Sequence, residues 1–321
     1  MRVVLWSVRR ILVAALTVLG VSILIFGSVR LLPGDYADLV LGPLASPAQR
    51  AEAVAKFGLD DNVVVQYLRW LGDAVRGDFG VSFVSNVSVT DEFAARMPVT
   101  ATIALLAIIV TLVVGIPLGA YSALRSKDRA AGTAGRIVSA LGISIPEFVL
   151  GGVVVFVVSS AAVGLRIGGF ASLDADPAAY FGSLLLPTVV LSVACVAVTA
   201  RNTRDAVMNV LVEPHIAAAV ARGESPWQIV RYHVARNAAA PVLTVVATIV
   251  ATLLGGTVIV ESIFNIPGMG SYLVTALGRR DYAIIQASVL LAAVVFIVTS
   301  LLIDLLSNLL DPRLAAKGAS S

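Results

Sequence analysis

Six long apolar runs limit what this chain can become. They are Ile11–Leu32, Thr100–Leu124, Ile137–Val163, Leu184–Ala200, Pro241–Val260 and Ala283–Ile303. Each is close to the roughly 20 residues a helix needs to cross a bilayer. Arg30 interrupts the first run, and Pro146 with Glu147 the third. Charged residues make up only 13% of the 321 and hydrophobic ones 58%, with a mean hydropathy of +0.94. A soluble domain carries about a quarter charged residues, so this chain has too few to cover itself with water. Six spanning helices are the expected fold.

The first run follows Arg2, Arg9 and Arg10, which resembles the start of a signal peptide. Its apolar stretch is longer, however, and Arg30-Leu-Leu-Pro33 follows where a small-residue cleavage site belongs. It reads as an uncleaved anchor over residues 1–32. An even number of spans puts both termini on one side, and short basic loops face the cytoplasm. Arg125, Lys127, Arg129, Arg136, Arg201, Arg204, Arg222, Arg231, Arg236, Arg313 and Lys317 then all fall inside with the N-terminal arginines. The long loop between the first two spans falls outside.

That loop, residues 33–96, reads as a small extracytoplasmic domain. Ser46-Pro47 opens a helix over Ala48–Phe57, and Gln66–Arg76 gives a second, amphipathic one, with turns at Gly58, Gly72, Gly77 and Gly80. Such a domain is either a lid that orders the outer end of the bundle or a docking surface for an external partner. Residues 97–310 hold the other five spans, and 311–321 form a cytoplasmic tail. The pI near 9.2 follows from the topology of the arginines. No basic surface of the kind that binds nucleic acid is present, and no nucleic-acid partner is expected. Cys195 is the only cysteine, which leaves no disulfide framework and no thiolate metal site. Both histidines, His215 and His233, lie in one polar loop, so neither a metal centre nor a catalytic acid–base pair is expected within the spans.

The polar loop 201–241 is too long for a simple connection. Ile216-Ala-Ala-Ala-Val-Ala-Arg-Gly223 forms a helix that glycine ends with a left-handed cap. Ser225-Pro226-Trp227-Gln228 restarts it with a capping box. Trp227, Ile229, Val230, His233 and Val234 are expected to gather on one side, so the second helix can lie along the membrane surface. The first helix presents alanines and a glycine with arginines around them, a surface that suits a groove on a partner protein. The same residues also fit an ordinary interfacial loop.

Ala218-Ala219…Gly223, then Arg231-Tyr-His233 and Arg236-Asn237-Ala-Ala-Ala-Pro241, resemble the cytoplasmic signature loop of binding-protein-dependent ABC importer permeases. The version is that of the dipeptide/oligopeptide/nickel subfamily. Leu32-Pro-Gly-Asp35, Gly58-Leu-Asp60 with Gln66-Tyr67, and Gly77-Asp-Phe-Gly-Val-Ser82 are similar to its first permease subunit. So are Ser144-Ile-Pro-Glu-Phe148, Glu261-Ser-Ile-Phe-Asn-Ile-Pro-Gly-Met-Gly270, Arg280-Asp-Tyr282 and the ending Asp311-Pro-Arg313. The chain departs from the signature at His215 and Ala217, where Tyr and Arg are usual, and at Val220, which replaces a second Arg.

The resemblance implies a type I ABC importer transmembrane fold and a permease that forms half of a pathway for peptides or similar small solutes. Its implied partners are a second permease, one or two cytoplasmic ABC ATPase subunits, an extracytoplasmic substrate-binding protein and membrane lipid, in a bacterial inner membrane. The implied ATPase-coupling residues are Glu213, Ala218, Ala219, Arg222, Gly223, Arg231, His233, Arg236 and Asn237. No G-x-x-x-x-G-K-[ST] phosphate loop occurs, so the chain is not expected to be an enzyme or to hold a cofactor. ATP and Mg belong to the partner ATPases, whose closure is implied to drive the signature helices together. Glu147, Glu261 and Asp304 are the acids within or beside the spans, and they are expected to be paired or interfacial, with Arg201 or Arg204 available to Asp304. Proton- or sodium-coupled transport would call for internal repeats, and none is evident; an intramembrane enzyme would call for a nucleophile–base pair that the spans lack.

Overall fold

The structure, a computed structural model, describes residues 2–30, 46–48, 51, 54, 60–82, 84–126, 129–161 and 168–310. It is an all-α membrane fold, with one isolated β-bridge, Val81 to Ser88, among the described residues. The helices are α1 (Arg2–Arg30), α2 (Val63–Val75), α3 (Val89–Val110), α4 (Ile116–Leu124), α5 (Arg129–Ser144), α6 (Glu147–Ala161), α7 (Pro177–Leu211), α8 (Pro214–Ala221), α9 (Ala235–Ile263), α10 (Met269–Arg279) and α11 (Tyr282–Leu310). Two π-helical stretches, Thr111–Gly115 and Ile229–Val234, join α3 to α4 and lead into α9.

Four of these segments are long and apolar enough to cross a membrane: Ser7–Val29, Val89–Leu124, Pro177–Leu211 and Tyr282–Leu302. A fifth results if Pro226–Ala239 and Pro241–Val250, bent by 50° at the proline, count as one. The sequence led us to expect six; with the bent pair counted as one span, the third run accounts for the remaining difference. Proline has no N–H to donate and pushes the residue before it out of helical backbone. Pro146 therefore divides Ile137–Val163 into α5 and α6. The described part of α6 is 15 residues, about 22 Å, against a hydrocarbon layer of roughly 30 Å. The expected Leu184–Ala200 is only the middle of α7. Asp176 accepts from the Ala179 N–H at 3.0 Å and Pro177 takes the first turn, which starts that helix seven residues early.

The chain divides into two compact units, Met1–Thr100 with Pro267–Leu301, and Ala101–Ile266 with Leu302–Ser321. In the first, α2 is the expected amphipathic helix, capped by Asn62, whose side chain accepts from the Val64 N–H at 2.9 Å. Its Tyr67 and Trp70 rings stand 5.4 and 5.6 Å from Phe26 of α1, and Tyr67 shares a 2.8 Å hydrogen bond with Ser22. Val89, Phe93, Ala276, Ile284 and Ala287 form a core joining α3, α10 and α11. Two sequence motifs meet here: Ser82 Oγ donates to Asp281 Oδ2 at 2.5 Å, and both residues are about 1% exposed. The helix expected over Ala48–Phe57 and the motifs Leu32–Asp35 and Asp311–Arg313 lie largely or wholly outside the described residues.

In the second unit, small residues bring helices together around α7. A Cβ on Gly115 would lie 2.9 Å from Thr199 Cβ, one on Gly142 2.7 Å from Ala197 Cβ, and one on Gly119 would collide with the Ala200 carbonyl oxygen. Real side chains cannot occupy those positions, so glycine is what allows α4 and α5 to approach α7 this closely. Ala123, Ala206, Val207, Val210, Ile216, Ala219, Ile229, Val234, Ala238 and Val242 make a second core, which seats the loop between α7 and α9.

Candidate coupling site

The loop after α7 is shaped by three local devices. Glu213 precedes α8 with extended backbone, and its carbonyl accepts the Ile216 N–H at 3.0 Å. The Glu213 carboxylate makes no cap; it pairs with His215 Nδ1 at 3.0 Å. At the other end of α8, Gly223 has φ +80°. Its N–H donates to Val220 O at 2.9 Å, and the Glu224 N–H donates to Ala219 O at 3.2 Å. That pair of bonds is the Schellman arrangement, which needs left-handed backbone and so favours glycine. Ser225 then restarts the helix with a complete capping box. Its side chain accepts the Gln228 N–H, and the Ser225 N–H donates to Gln228 Oε1 at 2.9 Å.

The third device is electrostatic. Glu224 Oε1 takes Arg222 at 2.6 Å, and Glu224 Oε2 takes His233 Nε2 at 2.8 Å. The hydrogen bond from Arg222 first, and that from His233 second, hold the Glu224 carboxyl below the usual carboxylate range. This ties the end of α8 to the π-helical stretch. The rings of His215 and His233 stand 6.0 Å apart beneath the brace. Asn237 Nδ2 donates to His233 O at 2.7 Å, which satisfies a carbonyl where the helix is widened.

The anticipated coupling residues divide into two sets. Ala218, Arg222, Gly223, Arg231, Arg236 and Asn237 are exposed, as is Glu213. Ala219 is 0% exposed and belongs to the core beneath. The small-residue face is therefore Ala217, Ala218, Ala221 and Gly223, and Ala219 seats it. His233 is half-buried and acts within the brace. Ile229 and Val234 face the core as expected, but Trp227 is 69% exposed. It stands in the first turn after the capping box, where the helix has not yet reached the core. Glu224 is the residue the sequence reading passed over. Its pairing with a histidine nine residues on depends on the π-helical register, for which the sequence gives no signal.

The acids of the spans behave differently from one another. Glu261 is wholly buried. The Asp304 side chain lies outside the described residues, and Arg204 pairs with Asp205 at 3.5 Å. Glu147 stands at the start of α6, where a Cβ on Gly256 would be 2.9 Å from its Oε2 and 3.2 Å from Leu191 Cδ1. Among the described residues there is no group of three or more His, Cys, Asp or Glu side chains that could hold a metal.

Residues 115–316 match the family described as the inner membrane component of binding-protein-dependent transport systems. Residues 3–104 match the description of its N-terminal part. The chain is 36% identical over 311 residues to a probable peptide ABC transporter permease of Sinorhizobium fredii, covering 96% of this chain and 98% of the relative. It is 34% identical to the oligopeptide transport system permease AppB of Bacillus subtilis, with the same coverage of both chains. It is 33% identical to the dipeptide transport system permease DppB of Escherichia coli, again covering 96% and 98%. With a helical membrane fold and both parts of the family present in order, the chain belongs to the permease components of binding-protein-dependent ABC importers.

Proposed function

We propose that this chain forms one half of the translocation pathway of a peptide importer and receives the force of ATP hydrolysis through the loop 213–241. The observation that carries the reading is the exposed turn Ala217–Gly223. It is small in profile, locked by the Schellman bonds, and flanked by Arg222, Arg231 and Arg236. A partner backbone can approach such a crest closely, and a rigid crest transmits displacement where a floppy loop would absorb it. The chain would act with a second permease, with ABC ATPase subunits that bind ATP and Mg, and with an external substrate-binding protein. Both termini and the coupling loop would then lie in the cytoplasm, the side to which the short arginine-bearing loops point. The relatives' names, which include peptide, oligopeptide and dipeptide permeases, support peptides as the solute.

The test is a mild-detergent purification of the tagged chain from its native membrane, with the co-purifying proteins identified by mass spectrometry. A second permease and a P-loop ATPase are expected. A chain recovered folded and alone, with uptake driven by an ion gradient, would overturn the reading.

A further inference from the structure

Glu147 occupies a position that the coupling account leaves unused. Four features place it. First, depth: its carboxylate lies beside Gly256 and at the level of Leu191. Leu191 is ten residues before Arg201 and fifteen after Asp176 on one continuous helix, or about 15 and 22 Å along the axis. Those two charged residues bracket the hydrocarbon layer, so the carboxylate is near its middle. Second, direction: on α6 the apolar side chains Phe148, Val149, Val153, Phe156 and Val157 are exposed. Glu147 and Gly151 share the opposite face, one turn apart. Gly151 packs on Ile263 and Val190, so Glu147 faces the seam between α7 and α9. Third, partners: Glu147 makes neither a hydrogen bond nor an ion pair among the described residues, yet it is only half-buried. Fourth, the break at Pro146 frees α6 to begin in mid-membrane and brings the carboxylate there.

A carboxylate at that depth with no partner among the described residues is costly, and intramembrane carboxylates that face a bundle interior mark solute and ion paths. Its neighbours in the seam include Gly256, Leu191 and the buried Cys195, none of which carries a positive charge, so a passing cation is a group that can balance it there. From this geometry we infer that Glu147 is a recognition point in the translocation path for the ammonium group of a passing peptide. A peptide's α-amino group is mostly protonated at pH 7. A lone carboxylate against glycine can accept it without demanding a particular side chain, which suits a carrier of varied sequences. Gly256 keeps the space in front of the carboxylate open, and any larger residue would occupy it.

The inference rests on the peptide reading, and the experiment separates the two. The complete importer is reconstituted in liposomes with its binding protein, and accumulation of a labelled alanine tripeptide is followed alongside ATP hydrolysis. Glu147→Gln should lower accumulation at least about tenfold while the stimulation of ATP hydrolysis by loaded binding protein stays within about twofold. Glu147→Asp should restore part of the uptake. Unchanged accumulation by Glu147→Gln would overturn the inference and leave the peptide reading standing. Loss of the second permease from both variants would also overturn it, because Glu147 would then be an assembly contact. A wild-type complex that hydrolyses ATP but accumulates no tripeptide would remove the peptide reading and this inference with it.

Discussion

The loop between α7 and α9 and the turn Gly77–Ser88 solve one problem in opposite ways. Each is a polar connection beside membrane helices, and each has glycine in left-handed backbone, Gly223 in one and Gly77 and Gly80 in the other. The turn has local bonds of its own, such as Ser82 N–H to Val87 O, and is also tied to distant chain. Ser82 binds Asp281, 199 residues away, and the Val84 N–H reaches the same carboxylate at 3.4 Å. Thr90 Oγ1 accepts the Phe79 N–H and donates to Gly77 O. The polar bonds of the candidate coupling loop stay within it, Arg222, Glu224, Ser225, Gln228 and His233 pairing within a dozen residues, above the apolar core that seats it. Long-range bonds of the first kind fasten a fold, whereas short-range bonds of the second kind make a stiff tab whose outer face stays free. Damage to the turn should therefore appear as lost stability, and damage to the loop's face as lost coupling in a stable protein.

The sharpest way to break that contrast is at Asp281. Asp281→Ala leaves Ser82 without its acceptor and removes a buried charge from its donors, which should cost about 3 kcal/mol. Thermal unfolding of the purified protein would show it as a large fall in Tm. Next comes the seat of the loop. Ala219→Leu forces extra methylenes into a site with no free surface and should cost about 2 kcal/mol. Ala218→Leu, one position along and exposed, should shift stability by less than about 0.5 kcal/mol yet abolish binding-protein-stimulated ATP hydrolysis. Equal stability losses at both positions would erase the distinction between face and seat.

Gly223→Val ranks third in stability. A built Cβ meets nothing, so the cost is backbone strain alone, about 1–2 kcal/mol. The variant should insert normally and hydrolyse ATP without importing solute. Normal uptake at normal expression would remove Gly223 from the coupling site. The smallest effect is electrostatic. Glu224 is held below the ordinary carboxylate range by Arg222 and His233, so its contribution is complete above that range and is lost as pH falls through the depressed value. The protection factors of the Arg222–Glu224 amides, with exchange rates corrected for their intrinsic pH dependence, should fall as the pH is lowered through that window, and Glu224→Gln should flatten the dependence.

Much of this was legible in the sequence, for reasons that differ by region. The apolar runs, the capping box at Ser225 and the glycine cap at Gly223 are local chemistry, and each appears where the residues place it. The division of the third run also follows from a local signal, Pro146, but its consequence is not local. Only the packing of α6 along α7 and α9 puts Glu147 at mid-depth, and from spacing alone it reads as paired or interfacial. The split between Ala218 and Ala219 depends on the rotation of α8 against Val207 and Val234, which two adjacent alanines cannot reveal. Both π-helical stretches shift register without a residue that announces them, and the brace from Glu224 to His233 was hidden for that reason.

The central claim is that the face of α8 meets an ATPase while its inner side holds the fold. Single cysteines at Ala218 and Ala219 in the assembled importer test it directly, since native Cys195 is buried. Under mild crosslinking, Ala218→Cys should join the permease to its ATPase subunit, and Ala219→Cys should not. Crosslinking from Ala219→Cys alone, or from neither position in a complex that still transports, would contradict the account.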